Sequence, residues 1–227
     1  MKIGIFGTGT VGQTLAAKLA SLGHDVMIGT RDPKATLARA DKDAFGNPPF
    51  STWQAQHPTV RLGSFSDTAQ HAELAVNALS GHGTLAAFAA AGEQNLAGKV
   101  LIDIANPLDF SKGMPPSLTV SNTDSLGEQV QRALPKTHVV KTLNTVNAYL
   151  MVDPGQLAGG DHTMFVCGND SAAKGKVTGL LREWFGWKDV VDLGDITNAR
   201  GTEMYLPLWV RMYGALKTPM FSVKVVR

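Results

Sequence analysis

The feature that most constrains this chain lies at its start. Lys2 to Phe6 reads as a short apolar strand, and it runs straight into Gly7-Thr8-Gly9-Thr10-Val11-Gly12. The hexad has the spacing G-x-G-x-x-G, and a helix with apolar residues at Val11, Leu15, Leu19 and Leu22 follows it. Between a strand and a helix each glycine has a physical task. Gly7 allows the tight turn, Gly9 lets a pyrophosphate approach the backbone, and Gly12 lets the helix pack closely. The helix N-terminus adds unpaired N–H groups and a partial positive charge for the phosphates. The chain therefore opens with a dinucleotide-binding unit.

The second strand, Asp25 to Thr30, brings its C-terminal end to where the adenosine ribose lies. An NAD site normally places an acid there to bond the ribose 2′-OH. Here the strand ends Gly29-Thr30-Arg31, with Lys34 close behind. Thr30 offers a neutral hydroxyl, and Arg31 offers a planar fork suited to a phosphate. Asp32 also satisfies the count for a ribose acid. It precedes Pro33, however, which suits a helix cap followed by the first helical residue. The residues favour NADP(H), with NAD through Asp32 as the alternative.

Strands and helices alternate along the rest of the chain. Asp41 to Thr59 is irregular, with a short helix expected around Trp53. Strands follow at Val60 to Ser64, Leu74 to Leu79, Val100 to Ile104 and His138 to Thr142. The helices between them centre on Thr68, Thr84 to Ala91 and Leu126 to Leu134. Beyond Gly159-Gly160 come a strand (Thr163 to Cys167), a helix (Ala172 to Phe185) and a last strand (Asp189 to Leu193). Apolar strands alternating with helices imply an α/β fold, a doubly wound, mostly parallel sheet covered on both faces. Residues 1–158 are expected to bind the dinucleotide. Residues 159–227 are expected to form a small C-terminal α/β appendage continuous with them, serving substrate or dimer contacts.

Three of the four tryptophans lie late in the chain, and from Met204 to Leu216 apolar residues occupy nearly every direction around a helix. Such a helix must be buried, either on its own sheet or against a second subunit. The net charge of +2 comes from scattered residues, which gives no reason to expect nucleic acid as a partner. Met1 leads directly into the first strand and no apolar stretch reaches membrane-spanning length, so a cytoplasmic protein without membrane contact is expected.

In an open parallel sheet, ligands bind outside the carboxyl ends of the strands where strand order reverses. The segments emerging there are Gly7 to Gly12, Thr30 to Lys34, Ala78-Leu79-Ser80-Gly81, Ala105-Asn106-Pro107 and Asn144-Thr145-Val146-Asn147. The first two surround pyrophosphate and adenosine. The others are expected to enclose the nicotinamide end, with Asn144 and Val146 lining the cleft. They supply amides and hydroxyls rather than strong acids or bases. That poverty suits hydride transfer to a conjugated acceptor, which is mostly a matter of positioning. Carbonyl reduction usually also needs a proton donor, for which His82 and His162 are the candidates near the cleft. Cys167 reads as a buried strand residue, and no spacing of Cys and His suggests a metal.

Four segments together resemble the NADP oxidoreductase family dependent on the 8-hydroxy-5-deazaflavin coenzyme. They are Lys2 to Pro33, Leu101 to Leu108, Val139 to Val146 and Phe165 to Asp170. The resemblance implies a Rossmann-type domain with a small C-terminal appendage. It also implies reversible hydride transfer between NADPH and a deazaflavin, commonly in a homodimer. Carried over by position, Gly7 to Gly12 would hold the pyrophosphate and Thr30-Arg31 the 2′-phosphate. Asn144 and Val146 would line the deazaflavin site. The chain departs from the deazaflavin reductases at Asn144, where they tend to have His, and at Leu79-Ser80-Gly81, where they tend to have Pro. Relatives with Asn there include the reductase domains of membrane metalloreductases.

Three functional readings follow. The first is an NADPH oxidoreductase acting on a small-molecule electron acceptor of the deazaflavin or flavin kind. The second is a dehydrogenase of the 3-hydroxyacid or imine-reducing type, whose long helical second domain has little room in the stretch after Gly160. The third is a non-enzymatic NADPH-sensing module acting through its apolar C-terminus.

Overall fold

A computed structural model describes residues 1–42 and 46–227 of the 227. The first half contains β1 (Lys2–Phe6), α1 (Thr10–Ser21), β2 (Asp25–Thr30), α2 (Pro33–Ala38), α3 (Phe50–Gln56) and β3 (Arg61–Ser64). It continues with α4 (Phe65–His71), β4 (Leu74–Asn77), α5 (Gly81–Ala91), α6 (Glu93–Leu96) and β5 (Val100–Asp103). A two-stranded ladder, β6 (Leu108–Asp109) with β7 (Ser117–Leu118), leads to α7 (Leu126–Ala133), β8 (His138–Thr142) and α8 (Ala148–Val152). The chain then forms β9 (Thr163–Cys167), α9 (Ser171–Leu180), β10 (Asp189–Asp192), α10 (Ala199–Met204) and α11 (Leu206–Leu216).

Eight strands make one sheet in the order β10-β9-β8-β5-β4-β1-β2-β3. Neighbours run parallel except β8 and β9, which pair antiparallel. This is the doubly wound, mostly parallel architecture expected from the alternation. Successive residues of a strand point to opposite faces, and both faces are covered. Ile3, Ile5, Val26, Ile28, Val76, Ile102 and Val140 belong to one apolar cluster. Phe6, Ala75, Leu101, Val139 and Cys167 belong to the other.

Short polar side chains set where the helices begin. Asp32 caps α2, its Oδ1 accepting from the Ala35 N–H at 3.0 Å. Ser64 and Asp67 form a reciprocal capping box at α4, with bonds of 3.1 and 3.0 Å. Ser125, Asn147 and Asp170 cap α7, α8 and α9 in the same way. Helix α4 lies almost on the strands beneath it. A Cβ on Gly4 would stand 2.7 Å from the Thr68 carbonyl, and one on Gly29 would stand 2.8 Å from Thr68 Oγ1.

Of the irregular stretch from Asp41 to Thr59, residues 43–45 lie outside the described residues, and the helix expected around Trp53 is there as α3. The structure differs from the sequence-based expectations elsewhere. The helix expected to run unbroken to Phe185 ends its α-helical geometry at Leu180 and widens to one π turn, Leu181–Phe185. The ladder of β6 and β7 was not foreseen, because two-residue strands have no readable period. The last helix is not buried all round by its own chain. Leu206 and Val210 are buried, whereas Leu208 is 55% exposed, Tyr213 43% and Leu216 55%. Its apolar residues outnumber what one sheet face can cover. Among the described residues no helix is long and apolar enough to cross a membrane.

The close seat of α4 gives a direct test of the packing. Gly4→Ala should destabilise the protein by about 1–3 kcal/mol through overpacking against Thr68 and Ala72. A shift of the urea midpoint at unchanged slope would register it; an unchanged midpoint would mean that α4 can move away without cost.

Candidate functional site

The strand order reverses between β1 and β4, so the connections leaving their C-terminal ends run to opposite sides. The glycine loop fills the start of that crevice. Gly7 has φ 118°, and a Cβ there would stand 2.6 Å from the Ala78 carbonyl. A Cβ on Gly12 would run into the Gly7 carbonyl, whereas one on Gly9 would meet only open space. Gly9 is the N-cap of α1 and carries no side chain to occupy its leading N–H groups. Thr8 is braced by Gln13, whose Nε2 donates to the Thr8 carbonyl at 2.8 Å. Asn47 Nδ2 donates to Thr10 Oγ1 at 3.4 Å. A cradle of glycines with an uncapped helix start fits a pyrophosphate.

At the end of β2, Thr30 is buried and its Oγ1 shares a 2.8 Å hydrogen bond with Thr36 Oγ1. Arg31 and Lys34 are exposed, and among the described residues neither has a hydrogen-bond or salt-bridge partner. Asp32 is turned into the cap of α2 and so away from a ribose role. Among the described residues the arrangement leaves Arg31 and Lys34 as unpaired cations, with Asp32 taken up by its cap, which fits a 2′-phosphate.

Beyond the glycine loop lies a cavity of about 520 Å³. Of the residues singled out from sequence, Val11, Ala78, Leu79, Ser80, Asn106, Asn144 and Val146 line it together. Pro107 does not line it; its carbonyl accepts from the Thr119 N–H at 2.8 Å and starts the β6–β7 ladder. Sequence reasoning missed Leu108 and Asp109 from that ladder, Phe110 and Thr119 flanking it, Ala148 and Met151 from α8, and Leu206 and Trp209 from α11. Asn147 carried the one available signal for α8, since its Oδ1 accepts from the N–H groups of Tyr149 and Leu150 at 2.9 and 3.1 Å.

Two asparagines join the cavity rim. Asn144 Nδ2 donates to Asn106 Oδ1 at 3.0 Å, and Asn106 Nδ2 donates to the Asn144 carbonyl at 2.9 Å. The turn that presents Asn144 passes through Leu143 at φ 62°. A left-handed leucine costs roughly 1–2 kcal/mol, and full burial of its side chain offsets that cost.

Titratable groups are few here. His82 and Asp109 are the only two among the lining residues. The Ser111 N–H holds the Asp109 carboxyl below its usual range, with Lys112 and His82 adding to the effect. His162 lies elsewhere: it is buried, its Nε2 pairs with the Pro154 carbonyl at 3.0 Å, and its ring meets Trp187 edge-on. Of the two histidine candidates, His82 alone reaches the cavity. Cys167 is buried, and burial pushes its thiol up to about 12, so it is no nucleophile. Among the described residues no group of three or more His, Cys, Asp or Glu is placed to hold a metal ion.

A glycine cradle, a cationic corner and a largely apolar cavity in series define a dinucleotide-dependent oxidoreductase. Known proteins agree with that class. Residues 2–107 match the family model described as NADP oxidoreductase, coenzyme F420-dependent. A crystal structure from Arthrobacter sp. FB24, provisionally named an F420-dependent NADP-reductase, is 62% identical over the whole of both chains, with a TM-score of 0.95. The F420-dependent NADP reductase of Methanothermobacter marburgensis is 26% identical, over 93% of this chain and 92% of its own length. Metalloreductase STEAP3 of Rattus norvegicus is 25% identical over 92% of this chain, which spans only 38% of that longer protein. The chain belongs to the coenzyme F420-dependent NADP oxidoreductase family and is an NADP-dependent oxidoreductase.

Cofactor choice is testable at Arg31. Hydrogen bonds to charged groups contribute about 1.5–3 kcal/mol, which corresponds to roughly 10- to 150-fold in affinity. Arg31→Ala should weaken NADPH by about that factor and leave NADH nearly unchanged, with Lys34→Ala doing the same more weakly. Titration of both cofactors against both variants decides this, and an equal loss for NADH would remove the 2′-phosphate from the account.

Proposed function

We propose that this protein transfers a hydride between NADP(H) and a flat, conjugated acceptor of the deazaflavin or flavin kind. The carrying observation is the cavity that continues the glycine loop, walled by apolar side chains and amides with only His82 and Asp109 titratable. Bound NADPH supplies the hydride. The chain's own residues bind, orient and exclude water, which suits a reaction that depends on stacking two rings at short range.

Several features support this reading. Two buried polar atoms on the cavity walls, Asn144 Oδ1 and Trp209 Nε1, have no hydrogen-bond partner among the described residues. One is an acceptor and the other a donor. The pyrimidine half of a flavin or deazaflavin carries both N–H and C=O and would complement them. His82, which lines the cavity, is the residue suited to exchange a proton with the reduced ring, and the ionised Asp109 beside it is suited to orient that imidazole.

Residues 1–158 would then bind NADP(H), and residues 159–227 would supply the Leu206 and Trp209 wall. The exposed Leu208, Tyr213 and Leu216 on α11 favour burial against a second copy, as a homodimer.

The runner-up is reduction of a carbonyl or imine, for which His82 would be the proton donor. A panel of the deazaflavin coenzyme, riboflavin, FMN and FAD, followed at the NADPH absorbance, should show turnover. Activity confined to a hydroxy acid or imine would transfer the assignment to the runner-up, and His82→Gln should then abolish the rate rather than reduce it a few-fold.

The rim asparagine gives a sharper probe. Asn144→Leu should lower turnover while leaving NADPH affinity within about threefold. A fall in thermal stability matching the fall in rate would instead assign Asn144 to tying the rim through Asn106.

A further inference from the structure

Three adjacent strands end on a row of buried polar side chains. Asn77, Asp103 and Lys141 stand at one register across β4, β5 and β8, and all three are fully buried. Asn77 Nδ2 donates to Asp103 Oδ1 at 2.7 Å, and Lys141 Nζ donates to Asp103 Oδ2 at 3.0 Å and to the Ala105 carbonyl. A fourth member comes from α10, where Glu203 Oε1 lies 2.7 Å from Lys141 Nζ. Glu203 also accepts the Leu126 and Gly127 N–H groups in the first turn of α7, at 2.8 and 3.0 Å. Burial alone would push Lys141 down, but Asp103 and Glu203 outweigh it and raise it, so the ammonium stays charged.

None of the three charged residues lines the cavity, yet each is joined by a few bonds of chain to residues that do. Ala105 and Asn106 follow Asp103, Asn144 follows Lys141, and Leu206 and Trp209 follow Glu203. Buried ion pairs stabilise weakly compared with apolar packing, because desolvation offsets most of the attraction. Their better-attested use is to fix one arrangement against near alternatives.

We propose that Lys141 and Glu203 are positioning residues whose ion pair latches the Leu206–Trp209 wall to the Asn106–Asn144 rim. The pair thereby sets the width of the acceptor half of the cleft, leaving the glycine loop untouched. This rests on the acceptor reading above for its consequence in turnover, but not for the latch itself.

Glu203→Gln keeps the side-chain size and removes the charge. Amide hydrogen exchange on the full chain should show residues 206–212 exchanging about fivefold or more faster, with residues 2–30 unchanged. With riboflavin as acceptor, KM should rise about 5- to 10-fold with a smaller change in kcat, while the NADPH Kd stays within about twofold. Leu96→Ala, a core truncation chosen as a stability control, should lower Tm without splitting KM from Kd. Unchanged protection at 206–212 overturns the latch, as does a rise of KM and Kd together. If the unaltered protein turns over no flavin or deazaflavin, the acceptor reading fails, and hydrogen exchange alone decides the latch.

Discussion

The reversal of strand order beside β1 is the constraint from which the site follows. Right-handed crossovers carry the chain from β1 toward β2 on one side of the sheet and from β4 toward β5 on the other. No connection can then cover the ends of β1 and β4, and a crevice is left where backbone N–H groups and loop side chains face outward. The glycine loop occupies the half beside β2, and the amide rim occupies the half beside β5 and β8. The separation of the glycine loop from the amide rim is thus a property of topology before it is one of particular residues.

The antiparallel turn from β8 into β9 adds what that topology lacks. A sheet ending at β8 would leave Asn144 and Val146 on an open edge. Adding β9 and β10, and returning α10 across α7 into α11, supplies the Leu206–Trp209 wall of the cavity. The apolar surplus on α11 goes beyond that role, since a helix that only closed a small cavity would not need Leu208, Tyr213 and Leu216 on its outward side.

What could be read from sequence tracks what is local. The strand–glycine–helix unit was legible because each glycine answers a steric demand within a few residues. Asp32 before Pro33 was legible as a cap for the same reason, and so were the long apolar strands. The β6–β7 ladder was not, since strands of two residues carry no period, and it brought Asp109 and Phe110 into the cavity unannounced. Lys141 in mid-strand gave no hint of its partners. Its carboxylates come from the adjacent strand and from a helix far along the chain, and pairing of that kind is fixed only by tertiary structure. What covers the outward side of the last helix is likewise encoded by no periodicity within it.

The only sulfhydryl in the chain, Cys167, sits in β9 beneath the second apolar cluster, shielded and held protonated. A catalyst that moves reducing equivalents by hydride has no need of a sulfur relay, and this one has none within reach of solvent. Disulfides and thiol-directed oxidants react through an accessible thiolate, and Cys167 offers none. The thiol–disulfide poise of the surroundings therefore has no exposed cysteine here through which to act.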